Sequence, residues 1–118
     1  MGTVVYVNWS TTLALARAIP SAEFVLAGLR SSTYQSLRSL PARETVYVPS
    51  RGPRITMTTY VDVLEVQDQS VKVVVHLIAH GWLGYRREWS QGFLATKNGM
   101  RRGLRRRERY EYAWRYRS

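Results

Sequence analysis

The chain has 118 residues, with 18 Lys or Arg against 8 Asp or Glu and a formal net charge of +10. That length can bury one core unaided, and the absence of cysteine excludes a disulfide framework, a thiolate metal site and a cysteine nucleophile. No basic leader runs into an apolar segment with a small-residue cleavage site, and no run approaches about 18 consecutive apolar residues, so the expectation is a cytoplasmic or virion-associated protein without membrane contact.

In chain order, Thr3-Val4-Val5-Tyr6-Val7-Asn8-Trp9 is a β-branched and aromatic run and predicts a strand. Ser10, Thr11 and Thr12 can cap a helix of about two turns that Pro20 interrupts. Between Ser21 and Arg30, Phe24, Val25, Leu26 and Leu29 fit a helical face or a buried strand, and helix is favoured. Ser31-Ser32-Thr33 offers a further N-cap, with Tyr34, Leu37 and Leu40 at helical spacing before Pro41. From Thr45 the pattern turns to β, since Val46 and Val48 alternate and Pro49-Ser50-Arg51-Gly52-Pro53 marks a tight loop. Two long strands follow. Arg54 to Val66 changes parity near Val63, which predicts a bulge; Val71 to His80 puts Val71, Val73, Val75, Leu77 and Ala79 on one face. Gln67-Asp68-Gln69-Ser70 joins them as a hairpin.

Beyond Gly81 no clear period is visible until Tyr110, Tyr112, Trp114 and Tyr116 alternate with Glu111, Ala113, Arg115 and Arg117, a strand pattern with one aromatic face. Together these elements predict an α+β fold: a small, mostly antiparallel sheet or partly open barrel with N-terminal helices. Residues 1–84 form its core, and a basic extension, 85–118, ends in a strand and belongs to the same domain.

The position of the charge carries the functional argument. Residues 1–84 hold seven basic and five acidic side chains, whereas 85–118 hold eleven basic and three acidic. Concentrated like charge destabilises a compact state unless a polyanion screens it, so the asymmetry predicts an acidic partner. From Met100 to Arg109 six residues are Arg: Arg101, Arg102, Arg105, Arg106, Arg107 and Arg109. Guanidinium binds two phosphate oxygens at once, and each neutralised phosphate releases counterions, which gives salt-dependent binding with little sequence preference. Tyr110, Tyr112, Trp114 and Tyr116, flanked by Arg115 and Arg117, can stack unpaired bases, and Trp82, Tyr85 and Trp89 extend the aromatic set. Arg86, Arg87 and Lys97 complete the candidate nucleic-acid contacts. The bland alternative for each feature is a solvated charged face, or rings packed into the core.

Other chemistry lacks a pattern. His76 and His80, the only histidines, share a strand face about 13 Å apart at ~3.3 Å per residue, too far to ligate one ion. The acids are scattered, Asp62 and Glu65 fall on opposite strand faces, and no Walker loop or Gly-x-Ser-x-Gly elbow is present. No catalytic residue, metal or cofactor is therefore assigned; an enzyme would need an acid/base pair built from His76 or His80 and Asp62 across the hairpin.

The order of strand, short helix and second segment, then Thr45-Val46-Tyr47-Val48-Pro49 and the strand Ile55 to Val66, resembles the layout of PUA-like domains, including the ASCH group. That resemblance covers residue 3 to about residue 79 and implies RNA binding or modified-base recognition. The Gly-x-Lys-x-x-Glu-x-Arg signature of ASCH domains is absent, so no functional residue is carried over. In composition, the tail also resembles the basic extensions of ribosomal proteins. The reading is a nonenzymatic nucleic-acid-binding protein, RNA before DNA, within a ribonucleoprotein or a virion. The alternative is a virus- or phage-encoded structural protein whose arginines meet an acidic protein surface.

Overall fold

Ala14, Ala18 and Ala22 recur every four residues, with Leu15 and Leu26 beside them, and this stripe lets one helix lie close against a sheet. A computed structural model describes residues 2–64 and 69–109, with side chains from Ser10 onward. In it a single helix, α1 (Gly2–Arg30), is followed by a short α2 (Tyr34–Arg38) and five strands: β1 (Arg43–Val48), β2 (Arg54–Leu64), β3 (Ser70–His80), β4 (Arg86–Thr96) and β5 (Arg101–Gly103). The strands form one open antiparallel sheet in sequential order, β1-β2-β3-β4-β5. The fold is α+β.

The helix covers one face of the sheet, chiefly over β3 and β4. That inner face holds the core: Val71, Val73, Val75, Leu77 and Ala79 of β3 are all fully buried, as are Phe93 and Ala95 of β4. The parity expected for β3 is the parity observed. Arg30 at the end of α1 lies over the Phe93 ring, its guanidinium carbon 5.9 Å from the centroid. Thr33 caps α2 as its sequence suggests, accepting a hydrogen bond from the Ser36 N–H at 3.1 Å.

Several expectations fail, each for a physical reason. Thr3–Trp9, the expected leading strand, is the start of α1: β-branched residues disfavour helix by only a few tenths of a kcal/mol each, and extending a helix needs no new nucleus. Pro20 does not interrupt α1, because it lies on the exposed side while the stripe from Ala18 to Ala22 stays in phase across it. No bulge occurs near Val63, since the β2–β3 register runs unbroken from Arg54 opposite His80 to Leu64 opposite Ser70. Of the two forms expected, an antiparallel sheet or a partly open barrel, the open sheet is the one formed. The residues read as patternless supply β4 and β5, and the hairpin loop and the aromatic strand at 110–117 fall, wholly or largely, outside the described residues.

The outer face has a smaller cover. After β5 the chain folds back, and Leu104 packs on Tyr60 and Val74, all three buried. Gly92 makes this possible. A Cβ there would meet the Val73 carbonyl oxygen at 2.3 Å and a Leu104 methyl at 2.8 Å, while the Leu104 N–H donates to the Gly92 carbonyl at 3.1 Å. By length and composition Ser10–Arg30 suffices to cross a bilayer, but one side of it is committed to the sheet and the other carries Arg17, Pro20 and Glu23.

Candidate nucleic-acid interface

Antiparallel pairing sets charges beside one another at one end of the sheet. Arg54 opens β2 and faces His80, the last residue of β3; His80 in turn faces Arg86 at the start of β4. Side chains directly opposite across strands share a face, so Arg54, His80 and Arg86 form one row on the outer face. Two exposed arginines adjoin it, Arg51 in the β1–β2 loop and Arg87 beside Arg86.

The electrostatics of the row register on its central imidazole. Partial burial, then the positive charges of Arg54 and Arg86, hold the His80 pKa below its usual value. Its Nε2 lies 3.2 Å from the Thr56 hydroxyl. Arg86 has one acidic neighbour, its Nε 3.5 Å from a Glu88 oxygen that also lies 3.7 Å from Nε2 of His76. Among the described residues no carboxylate lies within ion-pair distance of Arg51, Arg54 or Arg87. Arg51, Arg54 and Arg87 thus stand near Arg86 with Glu88 as compensation for Arg86 alone, an arrangement that an anion stabilises.

A shallow cavity of about 370 Å³ opens beside the row, lined by Ser10, Gly52, Pro53, Arg54, His80 and Trp82. Gly52 has φ +107°, which a side chain would resist. Trp82 is 56% exposed at the rim, next to Leu83 at 81%, and Leu83 adopts a left-handed backbone with φ 56°. An indole in contact with water, beside guanidinium groups, can take the π-face of a base while the arginines take phosphate.

The sequence-derived candidates divide. Arg86 and Arg87 belong to this cationic end, and Lys97 is exposed in the β4–β5 turn. Arg101 is structural: its Nη2 donates to the Ser32 carbonyl at 2.9 Å and its Nε to the Arg30 carbonyl at 3.3 Å, closing the C-terminus of α1. Arg102 is paired, forking onto both Glu108 oxygens at 3.1 Å. Glu108 also accepts from the Arg105 N–H at 3.0 Å at the start of the helical turn 106–109, as a capping glutamate does. These contacts hold the Glu108 carboxyl down at about 2, with the Arg102 bond the largest cause. Arg109 donates to the Leu104 carbonyl at 3.0 Å and is half-buried. Arg105, Arg106 and Arg107 project as an exposed cationic turn. Tyr110, Tyr112, Trp114, Arg115, Tyr116 and Arg117 lie outside the described residues.

Of the three additional rings, Trp89 packs against the core, Tyr85 is half-buried and Trp82 stands exposed. His76 is buried on the outer face, its ring 6.4 Å from that of Tyr60. Asp62 faces Lys72, four positions along the strand from His76, roughly 13 Å, so the acid/base pair an enzyme would need is not assembled from these two. No group of three or more His, Asp or Glu side chains with metal-binding spacing occurs among the described residues. Comparison of the chain with protein-family models, curated proteins and solved structures finds no match.

Proposed function

We propose that this is a nonenzymatic nucleic-acid-binding protein that holds single-stranded RNA across the cationic end of its sheet. The observation that carries the reading is the row Arg54–His80–Arg86, two guanidinium groups in register on either side of an imidazole, with the exposed Trp82 indole beside it. Guanidinium groups in such a row meet successive phosphates, and the indole supplies the stacking surface that unpaired bases need. Arg105, Arg106 and Arg107 provide a second cationic element. A single strand is favoured over a duplex because one shallow cavity with one exposed ring offers stacking to a splayed base, whereas a duplex presents only backbone there.

The test is a titration with single-stranded RNA, double-stranded RNA and duplex DNA at two salt concentrations. Tryptophan emission should quench on binding the single strand, and Trp82→Ala should remove the quench and weaken binding about 5- to 150-fold, the equivalent of roughly 1–3 kcal/mol per stacked base. Equal affinity for all three ligands, untouched by Trp82→Ala, would contradict the reading.

A further inference from the structure

The other edge of the sheet carries a separate inference. β1 is an edge strand, and Arg43 through Tyr47 are all exposed, Tyr47 at 70% and Val46 at 42%. Natural edges are blunted by proline, charged side chains, inward-pointing charges or a bulge. Between Pro41 and Pro49 this one has no proline, lysine or bulge, and its two charges are of opposite sign, Arg43 on the outer face and Glu44 on the inner.

The direction of its backbone groups follows from one hydrogen bond. The Val61 N–H donates to the Ala42 carbonyl at 3.0 Å, so in the β1–β2 ladder the groups of Ala42, Glu44, Val46 and Val48 turn inward to β2. Those of Arg43, Thr45 and Tyr47 turn outward. The Thr45 and Thr58 hydroxyls, 2.9 Å apart, agree, because side chains approach most closely at the non-hydrogen-bonded pairs of a ladder.

We infer that β1 pairs antiparallel with β1 of a second copy of this chain about a twofold axis at Thr45, continuing the sheet across a symmetric dimer. In that register Thr45 faces Thr45, and each Arg43 faces Tyr47 of the second copy. All three outward-facing residues of each strand then exchange backbone hydrogen bonds. On the outer face guanidinium meets phenol ring; on the inner face Val46 meets Glu44 of the second copy, next to a groove of about 250 Å³ lined by Val25, Leu29, Val46, Met57 and Val61 with Glu44 at its side. Neighbouring registers are worse. A one-residue slip opposes inner with outer side chains. A two-residue slip in one direction sets Glu44 against Glu44, and in the other leaves Arg43 unpaired. The open part of β4 at the opposite edge carries Arg86 and Arg87, whose like charges oppose self-pairing. The inference is independent of the proposed nucleic-acid site.

The test uses the full chain by sedimentation velocity across a range of concentrations, at about 0.5 M salt to screen repulsion between the cationic copies. A reversible dimer is expected. Tyr47→Pro removes an outward N–H and leaves the β1–β2 ladder intact, so it should weaken the dimer about tenfold or more with an unchanged circular dichroism spectrum. Because the chain lacks cysteine, register can be read by cross-linking. Thr45→Cys should form an intermolecular disulfide under mild oxidation, since facing hydrogen-bonded residues lie about 5.5 Å apart, within disulfide reach. Val46→Cys should not, its two copies being staggered to about 8 Å. A chain that stays monomeric throughout, a dimer unaffected by Tyr47→Pro, or cross-linking through Val46→Cys in preference to Thr45→Cys would each overturn the inference.

Discussion

Replacing Gly92 by alanine tests how the outer face is closed. In an open strand the change usually stabilises by about 0.4–1 kcal/mol, because alanine restricts the unfolded chain. Here the new methyl would stand 2.3 Å from the Val73 carbonyl oxygen, 2.8 Å from a Leu104 methyl and 3.1 Å from the Val74 Cα. Leu104 can swing aside, but Val73 and Val74 are fully buried backbone in the central strand and cannot. Overpacking of this kind costs about 1–3 kcal/mol, which outweighs the entropic gain and lowers Tm by roughly 5–10 °C for a domain of this size. The assay is urea unfolding, with a lower midpoint and an unchanged slope. Gly28→Ala is the control: it lies in α1 with nothing within 4 Å of its Cβ position, and should stabilise by about 0.5–1 kcal/mol. Gly92→Ala at or above wild-type stability would refute the close-packing argument.

Further outcomes follow from the same geometry. Leu77→Ala empties a fully buried site and should cost about 2–5 kcal/mol in the same assay. The Glu108 carboxyl, depressed to about 2 in the folded state, contributes stability that is complete above the unfolded value near 4.5 and is lost as pH falls towards 2. The stability gap between wild type and Glu108→Gln should therefore be wide at neutral pH and close in acid; a constant gap would contradict the Arg102–Glu108 pair. His80 has a lowered folded pKa, so the unfolded chain binds more protons as pH drops through about 6.5 and stability should decline there. Proton NMR should show the His80 pKa rising when Arg54→Gln removes one of its positive neighbours, and rising when an oligonucleotide binds.

How much was legible varied with how many faces of each element are apolar. β3 could be read whole because alternate positions are valine, leucine or alanine, and its inner parity is the core. β4 could not: its inner face runs Arg87, Trp89, Gln91, Phe93 and Ala95, while Gly92 and Leu94 lie under or beside Leu104 on the other face, so neither side shows a clean period of two. The N-terminal helix was hidden by β-branched residues whose local preference is small beside the burial of the alanine stripe that follows. The cationic row was not legible, since the expected loop Gln67 to Ser70 would set Arg54 beyond His80, whereas β3 begins at Ser70, opposite Leu64; its third member also required β4. The arginine run from Arg101 to Arg109 drew attention by density, yet Arg101 donates to the Arg30 and Ser32 carbonyls and Arg102 pairs with Glu108, contacts that density alone does not reveal.

The salt dependence of binding to a single-stranded RNA, compared between wild type and the Arg54→Gln/Arg86→Gln double variant, tests the central claim most directly. Each phosphate contact removed should flatten the slope of log affinity against log salt by about 0.7, so the double variant should lose roughly 1.4 while unfolding at the wild-type urea midpoint. An unchanged slope in a folded double variant would show that the cationic end of the sheet does not meet the phosphates.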